Sequence, residues 1–272
     1  MQAALETEFL HTRGRTGTLL GRYPVLSTGR ADATFRTCMV DGQVVAACAV
    51  RRFTWQAADM FEGAMIGFVW TEPARRGHGH AAYLLQSVVE ELTSAGLDFA
   101  VLWSGIEGFY ERLGWQRGDP GLFTSVPGTG PARREPLQPL APVALDRLRL
   151  ASGQPRLARS AAHWQCVPIP ATTTGCFCQE NAYVLCGEAN EERYVYEAHG
   201  TEAALSALWP RVTAGVSRVH VNDWTDGALS GWLAREAGVV FKPQRLAFWQ
   251  LLAPRARQAD WQRWHLPWFD RI

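Results

Sequence analysis

The stretch WTEPARRGHGHAAYLLQSVVEEL, residues 70–92, decides how this chain is read. Its opening is extended. From Ala81 onward apolar residues recur at Leu84, Leu85, Val88, Val89 and Leu92, the stripe of a helix laid on a sheet. At the junction Gly77, His78, Gly79 and His80 follow Arg75 and Arg76. A helix begins with backbone N–H groups that lack partners and with a partial positive charge. A phosphate placed there satisfies both. Gly77 and Gly79 would let the backbone approach it closely, and the arginines add fork-shaped donors. Residues 76–81 therefore read as a pyrophosphate cradle. The spacing is neither a Walker P-loop nor a GxGxxG dinucleotide turn.

The neighbouring sequence supplies the frame. TFRTCMV and QVVAACAV flank Asp41-Gly42, a favoured hairpin turn. MFEGAMIGFVW, residues 60–70, is a third extended run, and residues 98–104 form a short buried strand. IEGFYERLGW is a short helix ended by Gly114, and a last strand is expected over residues 122–126. VPGTGPARREPLQPLAP then places five prolines in 17 residues (126–142), which fits neither helix nor sheet interior. Beyond it a similar order recurs: a helix over 143–150, paired strands over 182–186 and 193–197, and a helix over 201–212. A strand over 216–221, a helix over 227–237 and a strand over 246–252 complete it. The expected fold is α+β (α/β): two tandem domains, each a mixed central sheet flanked by helices. The expected boundaries are 1–128, a linker at 129–142, and 143–272.

Composition excludes several classes. Net charge is +1 over 272 residues, so no bulk field draws the chain to nucleic acid or anionic membrane. No apolar run is long enough to span a bilayer, and residues 1–10 lack a signal core, so a cytoplasmic protein is expected. Four of the six cysteines fall between 166 and 186, flanked by His163 and His199. They contain no CxxC pair, and Cys176-Phe-Cys178 alternates as strand neighbours do. Reduced structural thiols are expected, not a metal site or a disulfide. Trp261, Trp264, Trp268 and Phe269 are expected to dock on the protein's own surface, a dimer or partner contact being the alternative.

Residues 5–126 resemble the GNAT superfamily of acyl-CoA-dependent N-acyltransferases. The family's loop pattern, Gln/Arg-x-x-Gly-x-Gly/Ala, is met by Arg76, Gly79 and Ala81. About thirty residues on, FYERLGW (109–115) resembles the family's Phe-Tyr-x-x-x-Gly-Phe helix, with Trp115 in the last place. The resemblance implies acetyl-CoA as co-substrate, direct transfer to an amine, and no metal. It places the cofactor on the backbone of Phe68, Val69, Trp70 and Thr71 and on the loop Arg75, Arg76, Gly77, His78, Gly79, His80 and Ala81. A backbone N–H near Val69 would polarise the thioester, and Gly67 would ease a bulge in the strand. Tyr110 is the implied general acid on the leaving sulfur.

Glu62, which shares a strand face with Ala64, Ile66 and Phe68 by period two, is the first candidate base, and Glu107 the second. His78 and His80 are expected to face solvent or phosphate. The second half has one glycine, Gly200, at the matching place, and Glu202 would repel a pyrophosphate, so it is expected to have lost the cofactor. The acceptor is expected to be a small-molecule or peptide amine, with the protein a monomer or homodimer. Asp59, Glu62 and Glu107 are too few to name the acceptor. A non-catalytic acyl-CoA sensor or scaffold is the competing reading.

Overall fold

The structure is a computed structural model describing residues 1–27, 33–130 and 134–272. The expected elements run in the expected order, with further helices and strands before and between them. Helices α1 (Gln2–Phe9) and α2 (Leu19–Arg22) precede a hairpin of β1 (Ala33–Val40) and β2 (Gln43–Gln56). Asp41 and Gly42 turn that hairpin with φ of 50° and 75°, the left-handed pair that matches strand twist. β3 (Met60–Thr71), α3 (His80–Ser94), β4 (Phe99–Trp103), α4 (Phe109–Arg112), β5 (Gln116–Arg117) and β6 (Gly121–Pro127) follow. The second half begins with α5 (Pro142–Ala151), β7 (Arg156–Leu157), β8 (Thr173–Gln179), β9 (Ala182–Ala189) and β10 (Glu192–His199). α6 (Glu202–Thr213), β11 (Arg218–Trp224), α7 (Ala228–Glu236), β12 (Lys242–Pro243), β13 (Ala247–Leu251) and α8 (Pro254–Gln258) complete it. Among the described residues no helix is long and apolar enough to cross a membrane.

Two mixed sheets form, and they do not divide where the prolines do. The first has the order β1-β2-β3-β4-β13-β5, with β7 added beside β2; the second has the order β12-β6-β11-β10-β9-β8. β6, expected to close the first domain, pairs with β11 along its whole length, from Gly121↔Trp224 to Pro127↔Arg218. β13, expected to close the second, pairs with β4 in the first sheet from Ala247↔Trp103 to Leu251↔Phe99. Each half thus lends the other an internal strand. Two strands of two residues each correspond: β5 lies beside β13 and β12 beside β6.

A division into 1–128 and 143–272 is therefore corrected to two sheets that exchange strands. Periodicity reveals a strand but not its partner. Part of the 129–142 segment is tied to the second half: Gln138 and Cys176 exchange backbone hydrogen bonds of 2.9 Å in each direction. Residues 131–133 of that segment lie outside the described residues.

The exchanged strand carries weight in the core. Phe248 on β13 enters the cluster under α3, with Leu84, Leu85, Val88 and Leu92. Its neighbour Trp249 points to the opposite face and packs with Trp55, Phe99, Trp261 and Trp264. Burying side chains of this size contributes roughly 1.5–3 kcal/mol each. Trp261, Trp264 and Phe269 are buried within the chain. They lie in short 3₁₀ turns and the segment between them, not along one helical face.

Candidate active site

β3 and β4 run parallel and pair only over Gly63↔Phe99, Ala64↔Ala100 and Met65↔Val101. Beyond Met65 they separate into a notch. On its other edge β3 stays bonded to β2, with a break in register: Gly67 opposes Ala49 and Trp70 opposes Ala47, so Phe68 and Val69 share Cys48 as partner. This is the bulge expected beside Gly67, but Phe68 carries the left-handed backbone, at φ 52°. Gly67 is needed for a different reason. A methyl group there would overlap the backbone carbonyl of Ile272, which lies against the strand.

The bulge also shifts the period-two alternation. Ala64, Ile66 and Val69 face the cluster under α3, while Phe68 faces the opposite side. There Phe68 meets Phe9 and Tyr23 edge-on at 5.2 and 5.4 Å. The expected shared face of Ala64, Ile66 and Phe68 is corrected accordingly. Phe68 lines no part of the cleft; Val69, Trp70 and Thr71 do.

That cleft, of about 690 Å³, runs from the notch to the start of α3. Arg75, Arg76, Gly77, Gly79, His80 and Ala81 line it. Gly77 and Gly79 both hold φ 81°, a backbone that side chains resist. Gly79 caps α3 with no side-chain hydrogen bond, so the first N–H groups of a 15-residue helix are left open. Arg76 donates to Glu8 of α1 at 3.0 Å and to the Thr71 carbonyl at 3.3 Å. Arg75 makes no ion pair among the described residues and borders the cleft. His78 turns back onto the Arg75 and Arg76 carbonyls and does not line it.

Tyr110 and Glu107 border the same cleft. The Tyr110 ring is 4% exposed and lies 5.2 Å from Phe248, so the borrowed strand forms its floor. Burial pushes its phenol up, against a smaller opposing pull from a hydrogen bond with Ser104. Glu107 is exposed.

Glu62 is elsewhere. It stands seven residues before Val69 on β3, about 23 Å along an extended strand, and Thr54 donates to its carboxylate at 3.0 Å. It is corrected as a base: shared strand membership says nothing of distance along the strand. The sequence reading also missed Glu8, Ile106, Phe109 and Arg112, all on the cleft. Phe109 and Arg112 were legible as neighbours of Tyr110 on its own helix; Glu8 is brought there only by the fold.

The second half repeats the frame. β10 and β11 pair in parallel over four residues, from Glu192↔Arg218 to Val195↔Val221, and then separate. β9 and β10 carry a bulge between Val195 and Glu197. But the Thr201 hydroxyl accepts from Ala204 N–H and closes the start of α6, while Glu202 is ion-paired to Arg235.

The notch side of β10 is charged and buried. Arg159 bridges Glu197 and Asp270, Tyr183 donates to Glu197, and the Arg51 guanidinium donates to the Asp270 carbonyl at 3.1 Å. Burial alone would raise Glu197, but Arg159 and Arg149 hold it down at about 2. Burial lowers His199 to about 4.

Residues 23–118 match the acetyltransferase (GNAT) domain family. No curated protein sequence matches the chain. Among solved structures, a probable N-acyltransferase from Enterococcus faecalis V583 is similar at TM-score 0.72 and 13% identity, covering 94% of this chain and 71% of that one. A GCN5-related N-acetyltransferase from Kribbella flavida is similar at TM-score 0.61 and 19% identity, covering 82% of this chain. Eis1 from Mycobacterium abscessus is similar at TM-score 0.61 and 13% identity, covering 92% of this chain and 71% of its own. The chain spans 61% of the Kribbella protein and 63% of a GCN5-related N-acetyltransferase from Anabaena variabilis. At these identities the likeness establishes the two-sheet fold across both halves.

Proposed function

We propose, for a chain whose residues 23–118 form a GNAT acetyltransferase domain, that it moves an acetyl group from acetyl-CoA to a primary amine. One observation carries this reading: a helix start left open behind two left-handed glycines shares a cleft with a strand notch and a buried tyrosine. The diphosphate sits on the N–H groups that open α3, with Arg75 and Arg76 beside it. The pantetheine arm follows the β3 edge along Val69 to Thr71. Its thioester carbonyl takes a backbone N–H near Val69, where negative charge develops as the amine attacks.

The amine nitrogen bonds to the carbonyl carbon, and the carbon–sulfur bond breaks. The departing thiolate takes the Tyr110 proton. A phenol's ordinary value near 10 already keeps it protonated at neutral pH, and burial raises it further, so Tyr110 has a proton to give. The amine gives up its proton to water or to Glu107, the carboxylate at the cleft. No step requires an acyl-enzyme.

The test is release of free coenzyme A thiol from acetyl-CoA across a panel of small and peptide amines. Turnover with any of them supports the reading. Tight acetyl-CoA binding without turnover on all of them replaces it with an acyl-CoA sensor. Tyr110→Phe should lower kcat by about a hundredfold and leave acetyl-CoA affinity unchanged, the usual scale for losing a general acid.

A further inference from the structure

The surroundings of Tyr110 make its task harder. Burial favours the neutral phenol, so the proton is held more tightly than in water. A thiol's ordinary value is about 8.5 and a phenol's about 10, so passing the proton to a leaving thiolate already runs uphill. An acid in this position needs something to stabilise the phenolate it leaves behind.

Among the described residues the hydrogen-bond partner of that phenol is Ser104. Ser104 follows the last residue of β4, beside the notch. Its N–H donates to the Leu246 carbonyl at 2.9 Å, at the entry to the exchanged strand β13. Its hydroxyl oxygen accepts from Ile106 N–H at 3.0 Å and so holds the turn that leads into α4. Gly108, left-handed at φ 71°, caps that helix, and the turn brings Tyr110 back to Ser104. A serine hydroxyl has one hydrogen and two lone pairs. Ile106 occupies one lone pair. The hydrogen has no acceptor other than the phenol oxygen among the described residues.

We propose that Ser104 is a positioning residue for Tyr110: it donates to the phenol oxygen, leaves the Tyr110 hydrogen free to point into the cleft, and stabilises the phenolate formed when that proton passes to the leaving sulfur. The inference rests on the acid role given to Tyr110 above. In the step the Tyr110 O–H bond breaks and an S–H bond forms, with the electron pair staying on the phenol oxygen. Ser104 keeps its own proton throughout, and its hydrogen bond strengthens as the oxygen becomes charged. The proton released by the amine, carried by water, restores Tyr110. Because the Ser104 backbone is bonded to Leu246, the second half of the chain helps to hold the acid of the first.

The test follows the ring-carbon NMR signal of isotope-labelled tyrosine in the full chain through an alkaline titration, Tyr110 being assigned from its loss in Tyr110→Phe. Ser104→Ala should move the Tyr110 midpoint to higher pH by about one pH unit, the scale of losing one donor to the charged form. Ser104→Thr keeps the hydroxyl and should restore it. In thiol-release assays Ser104→Ala should lower kcat about tenfold, leave the KM for acetyl-CoA unchanged, and add nothing to Tyr110→Phe. An unmoved midpoint overturns the proposal. So does a midpoint that falls, which would mean that the phenol donates to Ser104 and its hydrogen points away from the sulfur. A further tenfold loss of kcat in the Tyr110→Phe background also overturns it, since Ser104 would then act on another group. The titration requires no acceptor amine. Failure of the transferase reading, seen as no turnover on any amine, is therefore distinguishable from failure here, seen in the midpoint.

Discussion

The helices α3 and α6 occupy the same place in two copies of one frame, and they begin differently. Each follows a strand that parts from its parallel neighbour and then bulges. At α3 two left-handed glycines leave the N–H groups open. At α6 a threonine hydroxyl fills that position, and an acidic residue follows. The frame is common, so the fold alone does not select the cofactor. A few residues at a helix start do, by leaving a backbone unsatisfied or satisfying it internally.

The comparison assumes that the halves are copies joined into one folding unit. Severing them should have the largest effect. A chain of residues 1–128 keeps β6 with no sheet to join and loses β13, and with it Phe248 and Trp249. It should fail to fold, giving no cooperative thermal transition by circular dichroism. Adding the missing strand as a synthetic peptide covering residues 244–253 should restore part of it. A stable 1–128 fragment would show that the exchange is dispensable and that each half is a domain in its own right.

The next effect isolates the helix start. Gly79→Glu puts a side chain at φ 81° and a negative charge at the cap of α3, one residue before the place that matches Glu202 of α6. A Cβ there meets open space, so the strain is local. Acetyl-CoA affinity should fall by at least about a hundredfold, from strain near 1 kcal/mol plus charge repulsion. The melting temperature should move little. Undiminished affinity would place the diphosphate elsewhere and remove the ground for contrasting the two helices.

Much of this contrast could be read before any fold was known. The hairpin at Asp41-Gly42, the stripe from Ala81 to Leu92 and the cradle between them are local patterns, set by turn geometry and helical period. The loss of the second cradle was legible for the same reason. What could not be read was long-range. β6 and β13 read as short extended runs, but nothing in their residues names a partner sheet. The bulge turned Phe68 away from Ile66, and one extra residue undoes a period-two argument. Glu62 failed through distance along a strand. The need for Gly67 comes from Ile272, two hundred residues away in sequence.

Acid should weaken the molecule through the second half. Glu197 is held near 2 against an ordinary 4.5, so its contribution is complete above the ordinary value and lost as pH falls toward 2. His199 is held near 4 against 6.5. As pH drops through 6.5 the unfolded chain takes up a proton that the folded one refuses, so stability falls until about pH 4. Over that window His199 alone accounts for about 3 kcal/mol. Urea melts between neutral pH and pH 4 should show the decline, and His199→Gln should make it shallower without removing it, because burial also lowers His163 and His265. Because the halves exchange strands, one transition is expected throughout. Two transitions in acid would mean that the halves unfold separately despite the exchange.

The smallest effect concerns single cations. Arg75 and Arg112 border the first cleft, and neither has an ion-pair partner among the described residues. Arg235, in the last turn of α7, is already paired to the acid that opens α6. Arg75→Ala and Arg112→Ala should each weaken acetyl-CoA binding by about tenfold, near 1.4 kcal/mol, with little change in stability. The effect should shrink in high salt, since both side chains are near solvent. Arg235→Ala should leave affinity untouched, because its charge is spent within its own half. If Arg235→Ala weakened acetyl-CoA binding as much as Arg75→Ala does, the cofactor would have to reach both helix starts. The division into one open and one closed copy would then be wrong.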